Sequence, residues 1–361
     1  MKKILSIIII TSCCCLQLMG QPYFNEIYRS DTGTATTFRS VVVRDTAIYV
    51  TGITSASEPT PHNAGFFARL SLDGTPEAFR IYSDTLHSMS MWEDGLIATN
   101  DGHLASIANQ RNDYRNACLA VFDANGDTLM YKVYNYDGPP SNSYTFNGPY
   151  HLCQDHDNNY YILGIEGIAH KPDSINITVT KIDPLGNEIK RILFPLSPDN
   201  YARFGGQIYE LQLLPNGHFI ISATIYGPCP LYYSQLPTDS CRHRTWIFEA
   251  DTSGQVLWQY LSPIDRHIEA PKITLTRDGG IVFSGKEILL VPSNSYIGYR
   301  DRQYIGKIDS NHVLVWEYTS PDGRGYFSRS VELADGSILA CGSKYQRYHY
   351  ENQDTSGTRI K

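Results

Sequence analysis

Short apolar runs with a two-residue period recur along this chain, separated by dense turn signals, and no stretch carries the 3.6-residue period of a helix. The clearest unit spans 272–321. It begins Lys272-Ile-Thr-Leu-Thr276, turns at Asp278-Gly279, and continues Ile281-Val-Phe-Ser-Gly285. A polar insert follows, then Tyr304-Ile-Gly-Lys-Ile-Asp309, a short turn, and Val313-Leu-Val-Trp-Glu-Tyr318. An Asp-Gly or Asn-Gly pair between two apolar runs predicts a hairpin. Such pairs stand at Asp94-Gly95, Asn216-Gly217, Asp278-Gly279 and Asp335-Gly336, with Asp157-Asn158-Asn159 and Arg44-Asp45-Thr46 as looser versions. A second hairpin signal has Asp three residues before Gly, at Asp123 and Gly126, Asp183 and Gly186, and Asp251 and Gly254. There the Asp carboxylate can bond its own backbone two residues on and Gly accepts positive φ, so the motif needs neither metal nor catalysis.

Six copies of about fifty to sixty residues with four strands each predict an all-β fold, a β-propeller. The strand-like segment from Tyr23 to Tyr28 has no partners before it, and the segment after Arg329 has two or three strands and lacks a fourth. Joined, they make one sheet and hide two edges. The expectation is therefore six four-stranded blades closed by the N-terminal strand, with seven blades the alternative, in one domain spanning 21–361.

The first twenty residues stand apart. Lys2 and Lys3, the apolar run from Ile4 to Ile10, and Met19-Gly20 before Gln21 read as a cleaved export signal. A second reading makes Cys13 the lipidated first residue of a lipoprotein, after Ile10-Thr-Ser. No other segment is apolar enough to span a bilayer. Removing the two leader lysines from 30 basic residues leaves 28 against 37 acidic ones, a formal charge of −9. That balance argues against a nucleic-acid partner. Cys118, Cys153 and Cys341 lie in strand-like contexts and read as buried apolar residues. Cys229 and Cys241 bracket a polar loop, and a disulfide between them is expected in an oxidising compartment.

The run Ile48-Tyr-Val-Thr-Gly-Ile-Thr-Ser, followed by Gly65-Phe-Phe-Ala-Arg-Leu-Ser-Leu-Asp-Gly74, resembles the repeat of secreted bacterial β-propellers of the SBBP type. The resemblance covers the mature chain and implies an exported propeller. Its motifs are structural and carry no catalytic identity.

Tight turns follow strands one and three, so the long inserts at 55–63, 100–116, 226–244, 286–303 and 343–357 share the opposite face, where a rigid scaffold would present function. Candidate ligand-binding residues there are Tyr226, Tyr232, Tyr233, Arg242, Tyr296, Tyr299, Arg300, Tyr345 and Tyr348, whose amphipathic rings suit a sugar or a protein anchor. Packing of these loops on one another is the plainer account of the same tyrosines. A glycosidase would need two carboxylates across a cleft, and Asp137, Asp199, Asp265, Glu269, Asp301 and Asp322 are available without any evident pairing. The expectation is a monomeric, non-enzymatic binding module for a glycan or protein, with no cofactor and no metal. A carbohydrate-active enzyme and a purely structural module are the alternatives.

Overall fold

The computed structural model describes residues 36–56, 62–82, 88–111, 115–134, 145–168, 176–195, 207–226, 243–292, 297–321, 324–347 and 358–359. These form six antiparallel sheets, each a meander. Sheet one is β1 (Thr36–Arg44), β2 (Ala47–Ala56), β3 (His62–Ser71) and β4 (Pro76–Tyr82). Sheet two is β5 (Ser88–Ala98), β6 (Leu104–Arg111), β7 (Arg115–Phe122) and β8 (Thr128–Tyr134). Sheet three is β9 (Thr145–Gln154), β10 (Tyr160–Ile168), β11 (Asn176–Ile182) and β12 (Glu188–Pro195). Sheet four is β13 (Gln207–Leu213), β14 (Phe219–Tyr226), β15 (His243–Ala250) and β16 (Val256–Leu261). Sheet five is β17 (His267–Leu275), β18 (Ile281–Pro292), β19 (Ile297–Ile308) and β20 (Leu314–Thr319). Sheet six has β21 (Arg324–Glu332), β22 (Ile338–Arg347) and the short β23 (Thr358–Arg359). The first strands of all six line one central cavity.

Among the described residues, one turn recurs ten times. In each, the first residue's amide donates to the carbonyl four residues on and its own carbonyl accepts from the amide three residues on, as at Ser71, Thr99, Asp123, Asp155, Asp183, Leu214, Asp251, Thr276, Asp309 and Leu333. The fourth residue must then take positive φ, and it is Gly in eight cases, Asn158 and His312 in the others. Two chemistries cap eight of these turns; in the other two Leu214 or Leu333 stands first, and Asn216 or Asp335 accepts the amide two residues after it. Asp at its first position accepts amides two and four residues on, as Asp183 does from Leu185 and Asn187. Alternatively Thr or Ser stands first and hydrogen-bonds an Asp two residues later, as Thr276 does with Asp278. Amide and side-chain bonds hold the carboxyls of Asp183, Asp251, Asp309 and Asp335 below the usual carboxylate range.

The turns also dock the sheets. Tyr82 of β4 donates to the carbonyl of Gly126 in sheet two, and Tyr134 of β8 to that of Gly186 in sheet three at 3.2 Å. Lys190 of β12 donates to Thr252 O at 2.7 Å, and Trp258 of β16 stacks on His312 with ring centroids 4.2 Å apart. An outer strand thus grips the third-to-fourth-strand turn of the next sheet four times over. Inside that frame, apolar layers fill successive interfaces: Phe67 and Phe122 between sheets one and two, Ile107 and Leu152 between two and three, Phe194 and Phe248 between three and four, Phe283 and Tyr304 against Trp258 and Tyr260 between four and five. Each fully buried Phe stabilises by roughly 1.5–3 kcal/mol, against at most about 1 kcal/mol for an exposed ion pair. The stacked aromatics dominate.

Consecutive inner strands pack closely from β1 round to β21, and among the described residues β21 and β1 have no contact of comparable extent. The faces they would close on are apolar and exposed: Phe38, Val41 and Val43 on β1, Val331 on β21 and Leu339 on β22. Cys341, expected to be buried, is exposed on this same open side, while Cys118 is buried and Cys153 half-buried.

Three expectations need correcting. Asp94-Gly95 is no hairpin turn; it lies in a bulge within β5, and the turn is Thr99 to His103 with Asp101-Gly102. The insert 100–116 is the paired hairpin of β6 and β7, in register out to Arg111 and Arg115. The insert 286–303 is likewise mostly strand, because β18 and β19 stay paired as far as Pro292 and Ile297.

The turn predicts unequal costs for one substitution. At Gly126, φ is +84° and a Cβ would meet the Phe67 ring at 2.5 Å, whereas at Gly336 φ is +82° and nothing lies within 4 Å. Gly336→Ala should cost about 1 kcal/mol from backbone strain alone, and Gly126→Ala about 1–3 kcal/mol more from overpacking. Urea unfolding of both variants measures the difference; equal losses would contradict it.

Candidate functional site

Each inner strand carries a register irregularity at one level: between Phe38 and Ser40, Met91 and Leu96, Ile208 and Glu210, Glu269 and Lys272, Phe327 and Arg329, and at Tyr150 in β9. Bulges re-aim side chains and cluster beside functional sites. The next paired residues are Ser40, Leu96, His151, Glu210, Lys272 and Arg329, one per sheet. In sheet two the apolar Leu96 takes this position and the longer bulge supplies Asp94. The result is a polar ring across the channel.

The ring is internally paired. Asp94 binds Lys272 at 2.5 Å and Arg329 at 3.3 Å. Arg329 also binds Glu210, which is fully buried and accepts the Ile273 amide at 2.8 Å. His151 Nε2 lies 3.7 Å from Glu210. Burial would raise the Asp94 carboxyl, but Lys272 and Arg329 outweigh it and hold it below the ordinary value. Burial pushes His151 down to about 4, with the Arg329 and Lys272 charges adding to the effect against the pull of Glu210. His151 is therefore a neutral imidazole near pH 7.

Two cavities meet this ring. Toward the tight turns lies one of about 980 Å³ walled by Val41, Val43, Ile48, Val50, Leu70 and Leu275. Toward the long connections lies one of about 760 Å³, lined by Phe38, Arg39, Glu269, Lys286, Tyr326 and Arg329 among others. At this mouth Glu269 binds His243 and, at 3.1 Å, Lys286, which also reaches Asp301 at 3.5 Å. Burial would raise Glu269, yet His243 and Lys286 hold it below the usual range. Phe38 is 50% exposed and Tyr326 39%.

Of the residues singled out from sequence, Tyr226 ends β14, Tyr299 and Arg300 lie in β19, and Tyr345 in β22. They sit near the long-connection ends of strands in sheets four to six. Tyr232, Tyr233, Arg242, Tyr296, Tyr348, Cys229 and Cys241 lie outside the described residues. Among the acids, Glu269 lines the mouth, Asp301 stands behind Lys286, and Asp265 is exposed in the link before β17. Asp137, Asp199 and Asp322 lie outside the described residues. Sequence reasoning missed Asp94, Lys272 and Arg329. Superposing the repeats on the residue after each bulge would have aligned the last two with Glu210 and His151. No cluster of metal-ligand type occurs among the described residues.

No family model matches the chain, and no curated protein matches it. Solved structures do. A protein of unknown function from Dyadobacter fermentans DSM 18053 is 12% identical with a TM-score of 0.52, covering 92% of this chain and 95% of that one. The alpha-L-arabinofuranosidase of Fusarium graminearum in complex with arabinobiose is 12% identical (TM-score 0.49; 82% and 84% covered). The chain spans 63% of a Synechocystis apocarotenoid oxygenase mutant, at 12% identity and TM-score 0.45, covering 82% of its own length. Six meanders around one channel decide the fold, and the likeness to the Dyadobacter protein over nearly the whole of both chains agrees with it. It is a β-propeller. At such identities the likeness extends no further than that.

Two predictions test the propeller's polar ring. Because His151 is depressed in the folded state, the unfolded chain takes up a proton first as pH falls from about 6.5 toward 4, so stability declines across that window. His151→Gln should remove part of the decline in a series of melting temperatures; an unchanged slope would contradict it. Arg329→Ala leaves the buried Glu210 without its main counter-charge and should cost about 3 kcal/mol. The double variant Glu210→Leu with Arg329→Met should recover much of that loss in the same denaturant assay.

Proposed function

We propose that the protein is an exported, non-catalytic β-propeller of the SBBP type that binds a saccharide at the long-connection mouth of its channel. The observation that carries this reading is the mouth cavity of about 760 Å³, where the half-exposed rings of Phe38 and Tyr326 stand beside fixed hydrogen-bonding groups. Aromatic faces take the apolar face of a sugar, and convergent polar groups take its hydroxyls. Export follows from the leader at 1–20, and the mature chain from Gln21 acts as one domain.

A hydrolase is the second reading, because Asp94 and Glu269 line the same mouth. Glycoside hydrolysis needs one carboxyl raised enough to stay protonated as the acid. Both of these are held low by neighbouring cations, which favours binding over hydrolysis.

A glycan array with the mature chain tests the proposal. Binding is expected, and Tyr326→Ala should weaken it tenfold or more, about 1.4 kcal/mol. A silent array, or unchanged affinity in Tyr326→Ala, would overturn the saccharide site. Turnover of a glycan that Glu269→Gln abolishes would establish the hydrolase instead.

A further inference from the structure

We propose that the saccharide held at the mouth is an acidic one, whose carboxylate or sulfate group is bound in the corner formed by Lys272, Ser284 and Lys286 on sheet five. This inference rests on the saccharide reading of the mouth and names the class of sugar it takes.

Strand pairing builds the corner. β17 and β18 set Lys272 opposite Ser284 and, across the β17 bulge, Glu269 opposite Lys286. Residues two apart on a strand share a face, so Lys272, Ser284 and Lys286 stand together on one side of sheet five. Side chains of a cross-strand pair start about 4.5–5.5 Å apart, and two lysine stems reach over a serine set between them. Gly285 permits the arrangement, because a Cβ there would overlap the Glu269 carbonyl where the bulge presses on β18. All three residues of the corner line the mouth cavity.

The mouth reverses the sign of the chain. Its described lining has four cations, Arg39, Lys272, Lys286 and Arg329, against the two carboxylates of Asp94 and Glu269. The whole chain carries a formal charge of −7. Glu210 and Asp301 help to hold Arg329 and Lys286 in place, but neither lines this cavity. The Lys272 and Lys286 side chains are only 18% and 28% exposed, and a low-dielectric wall strengthens their pull on an anion. An ammonium carries three donors, and Lys286 divides its own between Glu269 at 3.1 Å and a long contact to Asp301 at 3.5 Å. Burial would lower the Lys286 ammonium, yet Glu269 and Asp301 hold it above its ordinary value. It stays charged.

One hydroxyl in this corner is unanswered. Ser222 of β14 stands opposite Glu210, the first paired residue after the β13 bulge, and donates to the Pro271 carbonyl in the bulge of the next sheet. Ser284 holds the same place in sheet five, opposite Lys272. Its hydroxyl is fully buried and has no hydrogen-bond partner among the described residues. The Thr51 and Thr224 hydroxyls are unpartnered too, but neither residue lines the mouth. A buried donor left unmade is costly, and an oxyanion seated between the two ammonium groups would accept from it. A water would satisfy Ser284 equally but would not draw on the surplus charge beside it.

A glycan array of matched pairs tests this, with uronate oligosaccharides beside their carboxyl-reduced forms and sulfated ones beside their desulfated forms. The mature chain should bind one acidic series at least about tenfold more tightly than its neutral partners, and that preference should shrink as salt is raised. The series that wins identifies the group as carboxylate or sulfate. Lys286→Gln and Ser284→Ala should each cut the preference about fivefold or more. Ser284→Ala should do so without lowering the urea midpoint, because its hydroxyl has no partner in the protein to lose. Equal binding of acidic and neutral members would overturn the acidic corner and leave the saccharide site standing. So would a preference that both variants leave intact, or a lowered urea midpoint in Ser284→Ala. A silent array would overturn the saccharide reading itself, and this inference with it.

Discussion

Glu210 is the residue on which the centre of this molecule depends. A carboxylate with no exposed surface is costly unless its charge and lone pairs are answered. Here they are answered from four sheets. Gln212 of its own strand donates at 3.1 Å, the Ile273 amide comes from sheet five, Arg329 from sheet six and His151 from sheet three. The same Arg329 passes the connection on to Asp94 of sheet two, and Asp94 to Lys272. Sheets that otherwise touch only their neighbours are thereby tied across the axis. Such a network rigidifies when it is fully satisfied and is costly when any member is lost.

The division of labour between the two faces follows from the same geometry. The tight-turn face repeats one backbone solution ten times, and its carboxylates are consumed by their own turns. The bulges, all at one level of the inner strands, give each sheet a side chain that the pleat would otherwise pack flat, and five of those positions are filled with polar groups. Among the described residues, polar and aromatic groups converge there and just beyond, where Glu269, Lys286, Phe38 and Tyr326 meet. The open face of sheet one, with Val41, Val43, Ile48 and Val50, offers no such partners.

Much of the scaffold was legible in the sequence, because strand period, turn chemistry and repeat length are local signals. The blade pattern and the turns at Asp183 and Asp251 follow from a few adjacent residues. Asp94 did not. Two Asp-Gly pairs stand seven residues apart, and only pairing decides between them: Leu96 and Leu104 are both buried when Thr99 to His103 turns, and Thr99 provides the hydroxyl that Asp101 accepts. The ring escaped notice because its members are chemically different from sheet to sheet, so no motif repeats even though the position does. The tyrosine-rich connections drew attention by composition, while the described residues that line the mouth cavity lie on the inner strands and β18. A strand hairpin such as β18 and β19 also reads as a loop when its polar residues interrupt the two-residue period.

The central claim is that the mouth between β1 and β21 takes a ligand intact, held by stacking and by charges that stay ionised. The most direct measurement is a crystal structure of the mature chain soaked with the glycan that an array ranks highest. The account predicts an uncleaved sugar with a ring face against Tyr326 or Phe38 and hydroxyls within reach of Glu269 or Lys286. Density for the sugar elsewhere on the propeller, or for a cleaved product at the mouth, would contradict it.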